Sequence, residues 1–190
     1  ISCAYDLLNH LCIDSSIGRY QHTQETKKDG KNLNERAMAL SHIEQITQQD
    51  NLLQGRCFHE KDLYLFDMGY PALYFIAYLI GQGKDFVFRC SKSFLREVQE
   101  VIAQGTKDQV IEIPLKTSRR NFPEQLKTLQ TPFTEESVIP LRVLLVPLES
   151  GETEVLLTSL TDKKRYHYND FKEVYHLRWG SETYYSFLKE

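Results

Sequence analysis

The stretch LYLFDMGYPALYFIAYLIGQGKDFVF, residues 63–88, decides the fold of this chain. Its first four residues, 63–66, form a continuous apolar run, which is typical of a strand that is buried on both faces. Pro71 suits the first turn of a helix, and the apolar residues after it predict a helix over Ala72–Ile80. Phe86–Phe88 predicts a second strand. A strand–helix–strand unit implies a right-handed crossover and parallel strands, so the stretch predicts an α/β fold.

Asp67 ends the first of these strands. Ligands of open α/β sheets bind at the carboxyl ends of the strands, and Asp67 lies at such an end. A carboxylate that follows a buried strand is therefore a candidate catalytic or metal-binding group. The same residue can instead cap the following helix or close a turn. The residues around Asp67 leave both interpretations open.

The segments before this stretch predict a hairpin and a helix. Two short apolar runs, Ile1–Leu8 and Leu11–Ile17, flank a turn, and together they predict a β-hairpin. Residues 21–33 are polar, which indicates an exposed loop. Asn34 is a suitable N-cap for a helix over Glu35–Gln48, whose apolar residues keep helical spacing.

The chain changes character after residue 90, and we interpret residues 91–156 as a mostly β insertion. The remaining residues, 1–90 and 157–190, would then form the α/β core. Local patterns in and beside the insertion predict a short helix within 91–105, a strand over Val110–Leu115, a basic loop over Lys116–Thr131 that holds Arg119 and Arg120, and a hairpin of strands Val138–Val146 and Glu154–Leu160.

A final helix is predicted over Tyr175–Glu190, and Asn169 is a suitable cap before it. At about 100° per residue, its side chains fall into two stripes. One stripe suits a core and comprises Val174, Leu177, Ser181, Tyr184 and Leu188. The other mixes phenols with both signs of charge and comprises Tyr175, Arg178, Glu182, Tyr185 and Lys189. The second stripe can serve catalysis, or it can be an ordinary helix face with an Arg178–Glu182 salt bridge.

Asp67 and Glu182 together fit divalent-metal chemistry on phosphates. Mg²⁺ takes few protein carboxylates and shares phosphate oxygens, and two such ions can hold both the attacking and the leaving oxygen of an in-line displacement. Arg178 and Lys189, on the same helix face as Glu182, can bind phosphates, and Tyr175 can donate a hydrogen bond to one. The sequence has no Walker loop, G-x-S-x-G or H-E-x-x-H motif that would indicate a different chemistry.

The composition narrows the class of protein. A length of 190 residues fits one domain, with or without an insertion, and no apolar run is long enough for a membrane span. The four cysteines form no C-x-x-C pair, which argues against a zinc site and favours reduced thiols in the cytoplasm. A net charge of -3 means that any contact with DNA must come from local basic patches.

The run Lys163–Tyr168, which includes Lys164, mixes basic and aromatic residues, and it is either such a patch or a solvated loop.

Several strings resemble the DDE transposases of the insertion-sequence IS-four family. The spacing Tyr175-x2-Arg178-x3-Glu182-x6-Lys189 resembles the Tyr-Arg-Glu-Lys signature of that family. The second-aspartate motif of the family is resembled by LFDMGYP, and the strand pair before that motif by AYDLLNHLCIDSSIG. The helix after the pair is resembled by NERAMALSHI, and the segment before the final helix by LLTSLTD. The resemblance covers nearly the whole chain.

The resemblance implies a fold, a reaction and partners. The expected fold is ribonuclease-H-like, a mixed sheet flanked by helices with a mostly β insertion before the last helix. Three acids would bind two Mg²⁺ or Mn²⁺ ions, with Asp67 as the second acid and Glu182 as the third. A prokaryotic enzyme of the nucleoid, working as a homodimer, would nick double-stranded DNA at the terminal inverted repeats. The freed 3′-OH would then attack either the opposite strand, which forms a hairpin, or target DNA. Tyr175, Arg178 and Lys189 would contact phosphates, and Arg119, Arg120, Lys163 and Lys164 are further candidates for DNA contacts.

The chain departs from the family pattern at three places. The first acid of the family lies upstream of the strand pair, and this chain starts inside that pair, where Asp6 and Asp14 are poor substitutes. We therefore expect these 190 residues to be inactive alone. Met68 replaces a basic residue, and Trp179 lies in the last helix rather than in the insertion. A ribonuclease-H-like nuclease without strand transfer, and a DNA-binding or oligomerisation module without catalysis, are the alternative functions.

Overall fold

The structure is a computed structural model that describes residues 2–16, 30–52, 62–116 and 122–180. The chain divides into two compact units, one of Ile1–Glu60 with His176–Glu190 and the other of Lys61–Tyr175. Along the chain the elements are β1 (Ser2–Asp6), β2 (Leu11–Ser16), α1 (Gly30–Leu52), β3 (Leu63–Phe66), α2 (Leu73–Gly81), β4 (Asp85–Arg89), α3 (Arg96–Gln104), β5 (Asp108–Pro114), α4 (Phe122–Thr128), β6 (Val138–Pro147), β7 (Thr153–Thr158) and α5 (Asp170–His176). Among the helices of these ranges, none is both long and apolar enough to span a membrane.

In the first unit, β1 and β2 form the predicted antiparallel hairpin, and α1 packs against it. The buried residues of α1, Ala39, His42, Ile43 and Ile46, follow the spacing of a single helix face. The helix is longer than predicted, because it begins at Gly30 and ends at Leu52. The predicted loop 21–33 is therefore wrong for its last four residues. Extending a formed helix by one residue adds one hydrogen bond, which offsets the modest propensity cost of a glycine or asparagine.

The second unit is built on a mixed five-stranded sheet with the strand order β3-β4-β7-β6-β5. Strands β3 and β4 are parallel and joined by α2, as the strand–helix–strand pattern predicts. The other three pairs are antiparallel, including the predicted β6–β7 hairpin. Helices flank the sheet, so the expected α/β class is confirmed, and the arrangement is consistent with a ribonuclease-H-like fold. Residues 74–79 of α2 are all buried, as expected for a helix that is apolar on every side.

The segment 91–156 supplies β5, β6 and the first part of β7 to this sheet. Its division from the core as an insertion stays a prediction. The predicted loop Lys116–Thr131 is wrong in part, because it contains α4. Phe122 and Leu126 lie one helical turn apart and are both buried. Burial of these two side chains explains why this mostly polar segment is helical. Arg119 and Arg120 lie outside the described residues.

The end of the chain also differs from the prediction of one helix over Tyr175–Glu190. Helix α5 begins directly after Asn169 and ends at His176, and residues 177–178 form a turn in which Gly180 N donates to the Leu177 carbonyl at 2.9 Å. The two stripes are also assigned wrongly in this part, since Leu177 is 41% exposed while Tyr175 is only 1% exposed. Tyr175 is buried because it lies one helical turn after Phe171, in the same buried cluster. Residues 181–190 lie outside the described residues.

Candidate active site

Asp67 lies directly after β3, where its backbone and side chain shape a turn. Its carbonyl accepts a hydrogen bond from Tyr70 N at 3.1 Å, and its Oδ1 accepts one from Met68 N at 2.7 Å. The N-cap of α2 is Ala72, so Asp67 does not cap that helix. The side chain of Asp67 is 39% exposed, which leaves it within reach of solvent and of a substrate. The turn therefore presents the carboxylate at the carboxyl end of a strand, where α/β sheets bind ligands.

A guanidinium lies against this carboxylate. In the parallel pairing of β3 and β4, Phe66 is the partner of Phe88, so Asp67 and Arg89 follow at the same end of the two strands. Arg89 Nε is 3.2 Å from Asp67 Oδ1, and Arg89 Nη1 is 3.3 Å from Oε1 of Glu154 on β7. Neither Arg89 nor Glu154 was predicted from the sequence. The parallel pairing alone would have placed Arg89 beside Asp67, but the approach of Glu154 depends on the long-range pairing of β4 with β7.

Tyr175 reaches the same strand end from α5. Its hydroxyl donates to the carbonyl of Phe66, the residue before Asp67, at 3.2 Å. The ring is buried in a cluster that includes Val87, Leu156 and Phe171. In this structure the phenol therefore holds the last residue of β3. A phosphate contact of Tyr175 stays a prediction.

The other predicted site residues are placed separately. Arg178 belongs to the first unit, where it is 8% exposed and its guanidinium lies 5.0 Å from the centroid of the Trp179 ring system. Glu182 and Lys189 lie outside the described residues. Of the predicted set, the structure therefore brings Tyr175 to the strand end that carries Asp67.

The basic run after β7 forms a turn closed by Asp162. Its carboxylate accepts hydrogen bonds from the backbone N–H groups of Lys164 and Arg165 at 2.9 and 3.2 Å. Lys163 Nζ donates a hydrogen bond to the backbone carbonyl of Asp108 at 2.8 Å and lies 3.3 Å from Oδ1 of the Asp108 side chain. Lys164 is exposed. Lys163 thus has a structural partner on β5, while the turn presents Lys164 to solvent.

The two N-terminal aspartates have structural partners. Asp6 accepts hydrogen bonds from the backbone of Leu8 and from the backbone and side chain of Asn9, at 2.7–3.0 Å, and the bonds from Asn9 hold the pKa of Asp6 below its usual value. Asp14 Oδ2 is 2.5 Å from Nδ1 of the buried His42 on α1. Asp6 therefore stabilises the turn of the hairpin, and Asp14 joins the hairpin to α1.

The described residues do not make a metal site by themselves. Within the described ranges, no group of three or more His, Cys, Asp or Glu side chains could hold a metal ion. Asp67 offers one carboxylate, and one of its oxygens already accepts a backbone N–H and faces Arg89. Mg²⁺ is usually held by one or two carboxylates together with waters and phosphate oxygens, so Asp67 supplies at most one protein ligand of such a site.

Comparison with known proteins identifies the family of the chain. Curated proteins gave no match to the chain, and solved structures gave none either. The model of the family described as the transposase DDE domain matches residues 1–190, the whole of the sequence. Members of such a family act on DNA, and a carboxylate at a strand end of a mixed sheet suits that activity. This chain therefore belongs to the DDE transposase family.

Proposed function

We propose that Asp67 and Glu182 are the second and third catalytic acids of a transposase of the IS-four type. The enzyme would cleave the ends of a transposon and join the freed 3′-OH to target DNA. One observation carries the assignment of Asp67: its carboxylate follows β3 and is presented by a turn, in a chain of the DDE transposase family. The assignment of Glu182 is supported by the spacing of the Tyr-Arg-Glu-Lys motif.

The proposed reaction uses Mg²⁺ or Mn²⁺, which would supply charge stabilisation for the attacking and leaving oxygens of the phosphodiester. Asp67 and Glu182 would be ligands of these ions. The proposal includes our expectation that these 190 residues do not cleave DNA alone. A homodimer on paired DNA ends, in the nucleoid of a prokaryote, is the proposed setting of the full enzyme.

The proposed DNA contacts are distributed over basic residues of the chain. Arg178 and Lys189, with the Tyr175 hydroxyl, would bind phosphates at the transposon end. Lys163, Lys164, Arg119 and Arg120 would add contacts to the DNA backbone. These contacts are local, because the chain as a whole carries a net charge of -3.

A plasmid assay tests the proposed function. The full-length protein is incubated with Mg²⁺ and a supercoiled plasmid that carries the ends of its own element, and nicked, linear and joined products are separated on a gel. We expect Asp67→Asn and Glu182→Gln each to abolish cleavage while DNA binding persists. Glu136→Gln, at an exposed position, is the matched control and should leave cleavage unchanged. Full cleavage by either of the first two variants would rule out that residue as a catalytic acid.

The same assay separates the proposed function from its two alternatives. Nicking without any joined product would indicate a ribonuclease-H-like nuclease without strand transfer. DNA binding without any cleavage, in a protein that unfolds cooperatively, would indicate a non-catalytic DNA-binding or oligomerisation module. Joined products that depend on the ends of the element would support the transposase.

A further inference from the structure

Three charged side chains are in contact one after another at the candidate active site: Asp67 directly after β3, Arg89 on β4 and Glu154 on β7. Arg89 stands between two carboxylates, with Nε 3.2 Å from Asp67 Oδ1 and Nη1 3.3 Å from Glu154 Oε1. The side chains are partly buried, at 39% exposure for Asp67, 27% for Arg89 and 14% for Glu154. Of the two contacts, only the one from Nη1 to Glu154 is a hydrogen bond, and the one from Nε to Asp67 is an ion pair. An arginine can be shared in this way because its guanidinium spreads one positive charge over three nitrogens.

Strand pairing fixes this arrangement. The parallel register of β3 and β4 brings Asp67 and Arg89 to the same end of neighbouring strands. On the other side of β4, Arg89 is the partner of Leu156 on β7, and Glu154 lies two residues earlier on that strand. Side chains two residues apart on a strand lie on the same face, so Glu154 is on the face that Arg89 uses.

We propose that Arg89 is a positioning residue that competes with divalent cations for Asp67, and that Glu154 limits this competition by sharing the guanidinium. The inference rests on the proposed role of Asp67 as a cation ligand. Arg89 forms an ion pair with that carboxylate, without a hydrogen bond from Nε, and its positive charge repels a cation that approaches Oδ1. When a cation binds Asp67, Glu154 keeps a carboxylate beside Arg89, so the guanidinium does not become an unpaired, half-buried charge.

This arrangement predicts effects of opposite sign for the two partners of Asp67. Loss of the guanidinium in Arg89→Gln removes the competitor, and cations should bind more tightly. Loss of the second carboxylate in Glu154→Gln leaves Asp67 as the partner of Arg89 within this trio, and cations should bind more weakly. Glu154 is proposed to act through Arg89, so its charge should have little effect on cation affinity once Arg89 is replaced. The variant that carries both Arg89→Gln and Glu154→Gln should therefore bind cations as Arg89→Gln does.

The first measurement is the binding of Mn²⁺ to the protein, followed by electron paramagnetic resonance without DNA. We expect the dissociation constant to fall about tenfold in Arg89→Gln, by analogy with the smallest effect, about tenfold, that a neighbouring guanidinium has on the proton affinity of a carboxylate. It should rise severalfold in Glu154→Gln. Arg96→Gln is the matched control, because Arg96 forms an exposed ion pair with Glu100 on α3, and it should change nothing. Unchanged or weaker binding in Arg89→Gln would overturn the inference.

Two further measurements separate this inference from the proposed function. Asp67→Asn should abolish the same Mn²⁺ binding, and if it does not, the proposed ligand role of Asp67 fails. The Arg89 Nε–H signal in ¹⁵N NMR spectra of the metal-free protein reports on the shared guanidinium itself. It should shift in Asp67→Asn and in Glu154→Gln, and a signal that responds to neither would disprove the sharing. Arg89→Lys, which keeps the charge without the fork, covers the case in which Arg89→Gln does not fold, and cations should bind it no more tightly than the unchanged protein.

Discussion

Arg142 is a fully buried charge on β6, which has a paired strand on each side, and its surroundings explain why it is tolerated there. Its Nε and Nη2 each donate to a carboxylate oxygen of Asp108 at 2.8 Å. Nη1 donates to the carbonyls of Leu160 and Tyr166 at 3.3 and 2.7 Å, and the guanidinium lies 5.0 Å from the centroid of the Phe171 ring. Arg142 thereby ties the segment after β7 and helix α5 to β5 and β6.

The charge of Arg142 also changes the titration of its partner. Burial alone would raise the pKa of Asp108, but the hydrogen bonds and charge of Arg142, together with Lys163, outweigh burial and hold this pKa below its usual value. A carboxyl group whose pKa is lowered by folding stabilises the native state above its ordinary pKa. This contribution is then lost as the pH falls through the folded-state pKa.

Asp108→Asn tests this pair at the residue scale. At pH 7 we expect the free energy of unfolding to fall by about 3 kcal/mol, the lower end for a broken buried pair, because two carbonyls still accept from Arg142. The loss should shrink below about pH 4, where the carboxyl group begins to be protonated in the unfolded chain, and it should vanish once the pH is below the lowered pKa of the folded state. Urea unfolding between pH 7 and pH 2.5 measures both effects. Glu112→Gln, an exposed position on the same strand, is the control, and an equal loss in the two variants would contradict the role of Arg142.

At the scale of elements, α5 acts on β3 through one hydroxyl. Strand β3 lies at one edge of the five-stranded sheet, and among the described strands only β4 pairs with it. Tyr175 supplies a hydrogen bond to its last carbonyl, and Asp67 follows immediately. Tyr168 makes a similar bond at a different place, since its hydroxyl donates to the Leu145 carbonyl on β6 at 2.5 Å. The two tyrosines therefore form a matched pair for mutation.

We expect Tyr175→Phe and Tyr168→Phe each to lower the free energy of unfolding by about 1 kcal/mol, the usual contribution of one buried hydrogen bond. Only Tyr175→Phe should speed hydrogen exchange of the Tyr70 amide, which bonds to the Asp67 carbonyl, and only it should slow DNA cleavage by the full-length protein. DNA affinity distinguishes the two roles of Tyr175. An unchanged dissociation constant supports positioning of β3, whereas a weaker one without faster exchange supports a phosphate contact instead.

The elements that were predicted correctly are those specified by local patterns. The strand–helix–strand unit and the two hairpins follow from short apolar runs and the turns between them. The break after His176 was missed because helical periodicity continues past it, and α4 was missed because the burial of Phe122 is a tertiary contact. The position of Asp67 directly after a strand was predicted correctly, and its catalytic role stays a prediction. The pairs Arg89–Glu154 and Arg142–Asp108 join residues on different strands, so strand register must be known before they can be recognised.

At the scale of the whole molecule, a net charge of -3 means that DNA affinity has to come from a few exposed cations. The turn after β7 illustrates how the fold divides neighbouring lysines between tasks. Lys163 is bonded to Asp108, and its loss would also disturb the Arg142 network. Lys164 is exposed on the same turn, so its proposed task is to contact DNA without a structural cost.

Salt-dependent binding tests this division of tasks. Each protein–phosphate contact releases counterions, so removing one should reduce the slope of log affinity against log salt by about 1. We expect Lys164→Gln to reduce the slope by that amount with no change in the free energy of unfolding. Lys163→Gln should lower stability and raise the pKa of Asp108, because the charge and hydrogen bond of Lys163 help to hold that pKa down. Fluorescence anisotropy with a duplex of the transposon end measures the slope. The salt is varied from about 50 to about 200 mM NaCl, a range in which phosphate contacts strongly affect affinity. Lys92→Gln, an exposed lysine before α3, is the control, and an equal slope change there would show that the effect follows net charge rather than the turn.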